Sequence, residues 1–281
     1  MYYNRYFREY QEATEKSERT IEEYAKVIND FQHFTCKGDE EVTKMDAISY
    51  VNSIKHLSTA TVAMRIATLK SYYKFLSKNL EVAKDVFESV EAPTIKSREK
   101  EYLSAEEIKA LIDNCPTLRD KALVTLCMST GLRFSEATAI TMDDYLDAID
   151  SGENSIKIIG KGSKERRVFL TDNCIKAIND YMITKTAQSM SQGLLFSAES
   201  GAPLANNYSN LMLKKAAEKA GIKFDISFHW LRAFFASHLN ECGIDVPTIA
   251  NLMGHSNYST TLHYVKISND KKIEATNVMN F

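Results

Sequence analysis

The chain has 281 residues, 44% hydrophobic and 26% charged, with four prolines and ten glycines, a composition that excludes fibrous and disordered classes and fits two helix-rich globular domains. No apolar run reaches the roughly 18 residues of a spanning helix, and the start, Met1-Tyr-Tyr-Asn-Arg-Tyr6, has no signal-peptide core, so a cytoplasmic protein is expected. The net charge of -2 by itself argues against a nucleic-acid partner, since such domains are usually basic.

The distribution of charge says otherwise. Between Asp46 and Glu81 there is no acidic residue, while Lys55, Arg65, Lys70, Lys74 and Lys78 all fall in that window. Upstream of it, Thr20-Ile-Glu-Glu23 reads as a capping box opening a helix whose apolar positions are Tyr24, Val27, Ile28, Phe31 and Phe34. A weaker box, Thr43 to Asp46, opens Ala47 to Ile54. A third helix, about Ser58 to Lys78, places Val62, Ile66, Leu69, Tyr73 and Leu76 on one stripe and Lys70, Lys74 and Lys78 at i+4 spacing on another. Lysines one turn apart suit a phosphate backbone, which supplies most sequence-independent DNA affinity. A solvated lysine face on an ordinary bundle would read the same way. The expectation is a four-helix DNA-gripping domain over residues 1–92.

Periodicity stops at Glu91-Ala-Pro-Thr-Ile-Lys-Ser-Arg-Glu-Lys100, so residues 93–102 read as an exposed linker and 103–281 as a second domain. In it, Ser104-Ala-Glu-Glu107 caps a short helix, and Leu118 to Thr130 is an apolar helix ended by Gly131. From Tyr145 to Leu170 short β-type runs with two turns predict a small three-stranded antiparallel sheet. Helices resume at 172–186, 207–220, 228–241, 247–253 and from Ser259 onward. The fold class expected is mainly α. The five cysteines are odd in number, scattered and never in a CxxC pair, which indicates neither a disulfide framework nor a zinc site.

Chemistry-bearing residues are sparse and individually weak. Arg133 follows the Gly131 turn with Glu136 three residues on, His229 and Arg232 share a helix face at i and i+3, and Lys161 sits between two glycines at a hairpin tip. There is no HExxH, no clustered carboxylate pair and no Walker loop. A metal-free attack on a phosphodiester must neutralise the pentacoordinate phosphate with cations and protonate the leaving oxygen from a side chain. Two arginines, a lysine and two histidines are the groups this chain offers for that work.

Taken in order, four segments resemble the tyrosine recombinase (phage integrase) family, most closely its two-domain Xer-type and integrase members. They are Thr130-Gly-Leu-Arg-Phe-Ser-Glu136, Ile159-Gly-Lys-Gly-Ser-Lys-Glu-Arg166, His229-Trp-Leu-Arg-Ala-Phe-Phe-Ala-Ser-His-Leu239 and Leu252-Met-Gly-His-Ser-Asn-Tyr-Ser-Thr-Thr-Leu-His-Tyr264. The resemblance implies a SAM-like N-terminal domain and a helical catalytic domain. It implies Tyr264 as nucleophile, Arg133 and Arg232 as clamps on the scissile phosphate, and Lys161 as donor to the departing 5′-oxygen. His229 would assist proton transfer, His255 would hydrogen-bond the phosphate, and Glu136 would support the geometry. The 3′-phosphotyrosyl link keeps the energy of the broken bond, so no metal, ATP or other cofactor is expected.

Implied partners are duplex DNA with an inverted-repeat-like core site and further copies of the chain in a tetrameric synapse, which would make the protein nucleoid-associated. Ile273, Val278, Met279 and Phe281 of the C-terminal segment are expected to dock on a neighbouring protomer. Ala233 and Trp230 depart from common family residues without touching the implied catalytic set. The alternatives are a catalytically idle DNA-binding protein of the same fold, or a type IB topoisomerase-like enzyme.

Overall fold

The computed structural model of the protein describes residues 2–94, 103–160 and 165–254. The chain divides into two compact units, Met1–Glu99 and Lys100–Phe281. Of the expected linker, residues 95–102 lie outside the described residues.

Among its described residues the first unit has four α-helices: α1 (Asn4–Ala13), α2 (Glu18–Thr35), α3 (Lys44–Ser53) and α4 (Thr59–Phe75). Helix α2 begins earlier than its sequence suggests. Its cap is Ser17, whose hydroxyl accepts from the Thr20 amide, so Thr20 sits inside the first turn and is not itself the cap. The Thr43–Asp46 box forms as expected, each side chain satisfying the other's backbone amide. Along α4, Val62, Ile66, Leu69 and Tyr73 are buried, as is Leu76 just beyond it, packed with Phe7, Phe31, Tyr50 and Phe87. These rings meet largely edge-on, for example Phe31 with Tyr50 at 5.0 Å and with Phe87 at 5.2 Å.

One carboxylate lies within this aromatic core. Asp39 is 1% exposed and accepts from Tyr72 Oη at 2.6 Å, Gln32 Nε2 at 3.0 Å and the Tyr3 amide at 3.0 Å. Three donors offset the desolvation of a charge that would otherwise oppose folding. Burial and the Asp39 hydrogen bond both push the Tyr72 phenol pKa well up.

The second unit holds α5 (Ala105–Asp113), α6 (Leu118–Thr130), α7 (Phe134–Ala137), α8 (Met142–Asp150), β1 (Ser155–Ile159), β2 (Glu165–Phe169), α9 (Asp172–Met182), α10 (Asn206–Lys219), α11 (Phe228–Glu241) and α12 (Val246–Met253). Helix α6 is its spine: Ala122, Leu123, Val124, Leu126 and Cys127 are fully buried, and both α9 and α11 pack on it. The sheet corrects the sequence-based expectation of three strands. Among the described residues it has two, paired antiparallel with Ser155 opposite Phe169 and Ile159 opposite Glu165. Residues 145–150 are helical because Thr141 and Asp144 form a capping box that starts α8, which then buries Tyr145 and Ala148 one turn apart.

All five cysteines are free thiols. Burial pushes Cys174 up to about 12 and Cys127 higher still, so both are packing groups and not nucleophiles. No helix among the described residues is long and apolar enough to cross a membrane.

Candidate active site

Helix α6 is closed by Gly131, which takes the left-handed conformation (φ 65°) that its missing Cβ permits. The closeness of α11 demands the same residue, since a Cβ at Gly131 would lie 2.5 Å from Phe235 Cδ1. The chain then turns, and Arg133 becomes the N-cap residue of α7. Glu136, in the third position of that helix, accepts the Arg133 amide at 2.9 Å and the Arg133 guanidinium at 2.7 Å. One carboxylate thereby caps the helix and aims the arginine, whose side chain remains 40% exposed.

Arg232 has the opposite character. It lies one turn into α11 and is only 2% exposed. Its Nη1 donates to the Gly131 carbonyl and its Nη2 to the Met253 carbonyl at 2.6 Å. These are the unsatisfied C-terminal carbonyls of α6 and α12, so the cation sits where two helix dipoles present their negative ends. The bond to Gly131 spans 101 residues of sequence. Arg232 thereby joins the turn leading to Arg133, the second turn of α11 and the end of α12, two residues before His255.

His229 lies in the first turn of α11, whose N-cap hydroxyl, Ser227, accepts the Trp230 amide at 3.2 Å. It is exposed where Arg232 is buried, because Cβ vectors tilt toward the helix N-terminus and carry a first-turn side chain off the end. Lys161, His255 and Tyr264 lie outside the described residues, as do the helix expected from Ser259 and the C-terminal residues Ile273, Val278, Met279 and Phe281.

Sequence reasoning assigned no role to Arg166. On β2 it faces inward beside Val168, opposite Ile158. Its side chain is 8% exposed and Glu136 is 7% exposed. Nη2 donates to Glu136 Oε2 at 2.7 Å and Nη1 to Oε1 at 3.2 Å. Burial pushes the Glu136 carboxyl up, but the hydrogen bonds from Arg166 and Arg133 outweigh it and hold the group at about 2. A groove of about 590 Å³ beside this cluster is lined by Arg133, Ser135, Glu136, Lys157 and Gly160.

Of the residues expected to grip DNA, Lys55, Lys74 and Lys78 are exposed and Lys70 is half-buried. Their regular row is interrupted, because α4 ends at Phe75 and Leu76–Leu80 forms a π turn that shifts Lys78 off the α-helical i+4 line. Arg65 is engaged internally, paired with Asp30 at 3.0 Å and donating to Tyr50 Oη at 2.8 Å.

Comparison with known proteins agrees with this architecture. Residues 101–271 match the phage integrase family and residues 3–79 the phage integrase N-terminal SAM-like domain. Tyrosine recombinase XerD of Corynebacterium glutamicum is 34% identical over 248 residues, covering 82% of this chain and 80% of its own. Tyrosine recombinase XerC of Bacillus subtilis is 30% identical over 270 residues, covering 90% and 88%. Among solved structures, that of XerA recombinase superposes with a TM-score of 0.56 at 28% identity, over 99% of this chain and 98% of that one. The fold is also shared with the XerH recombinase bound to its difH substrate, with a TM-score of 0.72, 20% identity and coverage of 92% and 79%.

Proposed function

Because the chain belongs to the phage integrase family of tyrosine recombinases, enzymes that cut and rejoin DNA at specific sites, we propose the following division of labour. Arg133 and Arg232 hold the non-bridging oxygens of the scissile phosphate in a duplex, each through charge-assisted hydrogen bonds. The Tyr264 oxygen attacks phosphorus and the bond to the 5′-oxygen breaks, leaving a 3′-phosphotyrosyl link. Lys161 supplies the proton to that 5′-oxygen, which departs as a hydroxyl. His229 assists proton transfer at the nucleophile, and His255 hydrogen-bonds the phosphate.

Rejoining is the same path reversed with the 5′-hydroxyl of a partner strand, which accounts for the absence of any sequence motif for a nucleotide fuel. A tyrosine with an ordinary pKa near 10 is a poor nucleophile at neutral pH, so the surrounding cations must also favour its phenolate. Glu136 does no chemistry in this scheme; it aims Arg133. The lysines of the first unit grip the backbone, four protomers assemble on an inverted-repeat-like core site in the cytoplasm, and the C-terminal segment docks on a neighbour.

The observation that carries this reading is the placement of Arg232. The buried guanidinium donates to two backbone carbonyls that lie two residues before Arg133 and two before His255, which ties both segments to one side chain. Duplexes selected from a randomised pool by band shift, then nicked beside the cleavage position so that religation fails, test it directly. The wild type becomes covalently attached to the 3′-phosphate, while Tyr264→Phe binds the same duplex without attaching. Attachment that survives Tyr264→Phe would refute the assignment.

A further inference from the structure

We infer that Arg166 is a positioning residue for Arg133, acting through Glu136 to fix the phosphate-binding guanidinium against β2 and the end of α12. The inference rests on the role proposed for Arg133 at the phosphate, and it adds a residue that this role leaves unassigned.

Three observations converge. First, Glu136 is shared. Its two oxygens accept the Arg133 amide and guanidinium and both Nη atoms of Arg166, so Arg133 cannot change its hold on the carboxylate without disturbing Arg166. The two arginines differ in exposure as a support and an effector should: 8% for Arg166 and 40% for Arg133. A buried fork-to-carboxylate pair fixes direction as well as distance.

Second, Arg166 does not sit where its own hydrogen bonding is best. Its Nε is buried without an acceptor among the described residues, although buried donors are nearly always paired. The fork onto Glu136 therefore sets the position of the side chain, at the expense of Nε. Third, the same guanidinium lies against Gly254. A Cβ there would come within 2.9 Å of Arg166 Cδ and 3.0 Å of Nη1, and α12 packs on β2. The Gly254 backbone is thus held from two directions, by Arg166 packed against it and by Arg232 bonded to the preceding carbonyl. A displacement of about 1 Å at a reacting group costs on the order of 10²-fold in rate, which sets the size of effect to look for.

The test is single-turnover attachment to the nicked duplex by wild type, Arg166→Met, Arg166→Lys, Arg133→Ala and the double variant Arg133→Ala/Arg166→Met. Arg166→Met should slow attachment about 100-fold while its DNA Kd stays within about threefold, because Arg166 positions a group and does not hold the duplex. Arg166→Lys keeps the charge without the fork and should lose about tenfold. The double variant should be no slower than Arg133→Ala within about threefold, since a support has nothing left to act through once its effector is gone.

A purely structural role predicts independent, multiplicative losses in the double variant, and that outcome would overturn the inference. So would wild-type rates in Arg166→Met. Should Arg166→Met unfold, as thermal melting would show, Arg166→Lys alone and combined with Arg133→Ala carries the same comparison. Failure of the wild type itself to attach would instead count against the proposed chemistry.

Discussion

Glu136→Gln isolates the charge at the centre of the site without changing its shape. The carboxyl titrates at about 2 in the folded protein against an ordinary value of 4.5, and each unit of such a difference is worth about 1.4 kcal/mol. Because the folded value is depressed, the contribution is fully present above pH 4.5 and is lost as pH falls toward 2. It amounts to roughly 3 kcal/mol at pH 7, and roughly half of that should survive at pH 3. The group is 7% exposed, so solvent screening takes little from the figure, which agrees with the cost of about 3–5 kcal/mol for removing one partner of a buried pair. Urea unfolding of the second unit's transition should therefore find Glu136→Gln about 3 kcal/mol less stable than wild type at pH 7, the gap closing steadily between pH 5 and pH 3. A gap under 1 kcal/mol at pH 7, or one independent of pH, would show that the Arg133–Glu136–Arg166 cluster is not an ionised network.

Gly131→Ala meets two penalties, a positive φ of 65° and a Cβ 2.5 Å from Phe235 Cδ1. It should cost at least about 2 kcal/mol by denaturant melting, more than the usual 1–3 kcal/mol strain range's lower end, because the Gly131 carbonyl also anchors Arg232. In the first unit, Lys74→Ala should reduce the salt dependence of DNA binding by about one unit of slope, as expected for one lost phosphate contact. Arg65→Ala should instead leave that slope unchanged and lower stability by about 1 kcal/mol, since its partners are Asp30 and Tyr50. Equal slopes for wild type and Lys74→Ala would remove Lys74 from the interface.

Helical content was legible where a polar cap precedes a clean apolar period. Residues Leu118–Thr130 and Phe228–Glu241 have the bounds their sequences suggest, because Gly131 ends the first and Ser227 caps the second. The segment from Tyr145 resembles strand chemistry in isolation, through Tyr145, Leu146, Ile149 and the turn after them, whereas the Thr141–Asp144 box decides for helix. At the site, the family resemblance points to Arg133, Glu136 and Arg232 but not to how differently the two arginines are held. Burial and the carbonyl partners of Arg232 are properties of two helix ends that meet only in the fold.

Arg166 was legible in principle. In β2, Glu-Arg-Arg-Val-Phe, the period of two that turns Val168 inward turns Arg166 inward as well. An arginine on a buried strand face requires an acid from elsewhere in the fold. The sequence contained that requirement, and only the tertiary structure could say that Glu136 meets it.

The balance of charge at the site bears on how it would accelerate the proposed reaction. Arg133 and Arg166 share one carboxylate, Glu136, which leaves one positive charge in excess within that hydrogen-bonded cluster, and Arg232 adds a guanidinium at the ends of α6 and α12. A phosphodiester carries one negative charge, and the pentacoordinate state formed when a phenolate attacks it carries two. Fixed cations at the phosphate therefore attract the doubly charged transition state more strongly than the singly charged substrate, the condition under which binding energy becomes rate. The manner of fixing matters as much as the sum. Arg232 donates to two backbone carbonyls, while Glu136 shares its charge between two arginines and fully neutralises neither. A carboxylate paired with Arg133 alone would have cancelled the charge it was aiming, and Arg166, drawing on the same carboxylate, prevents that.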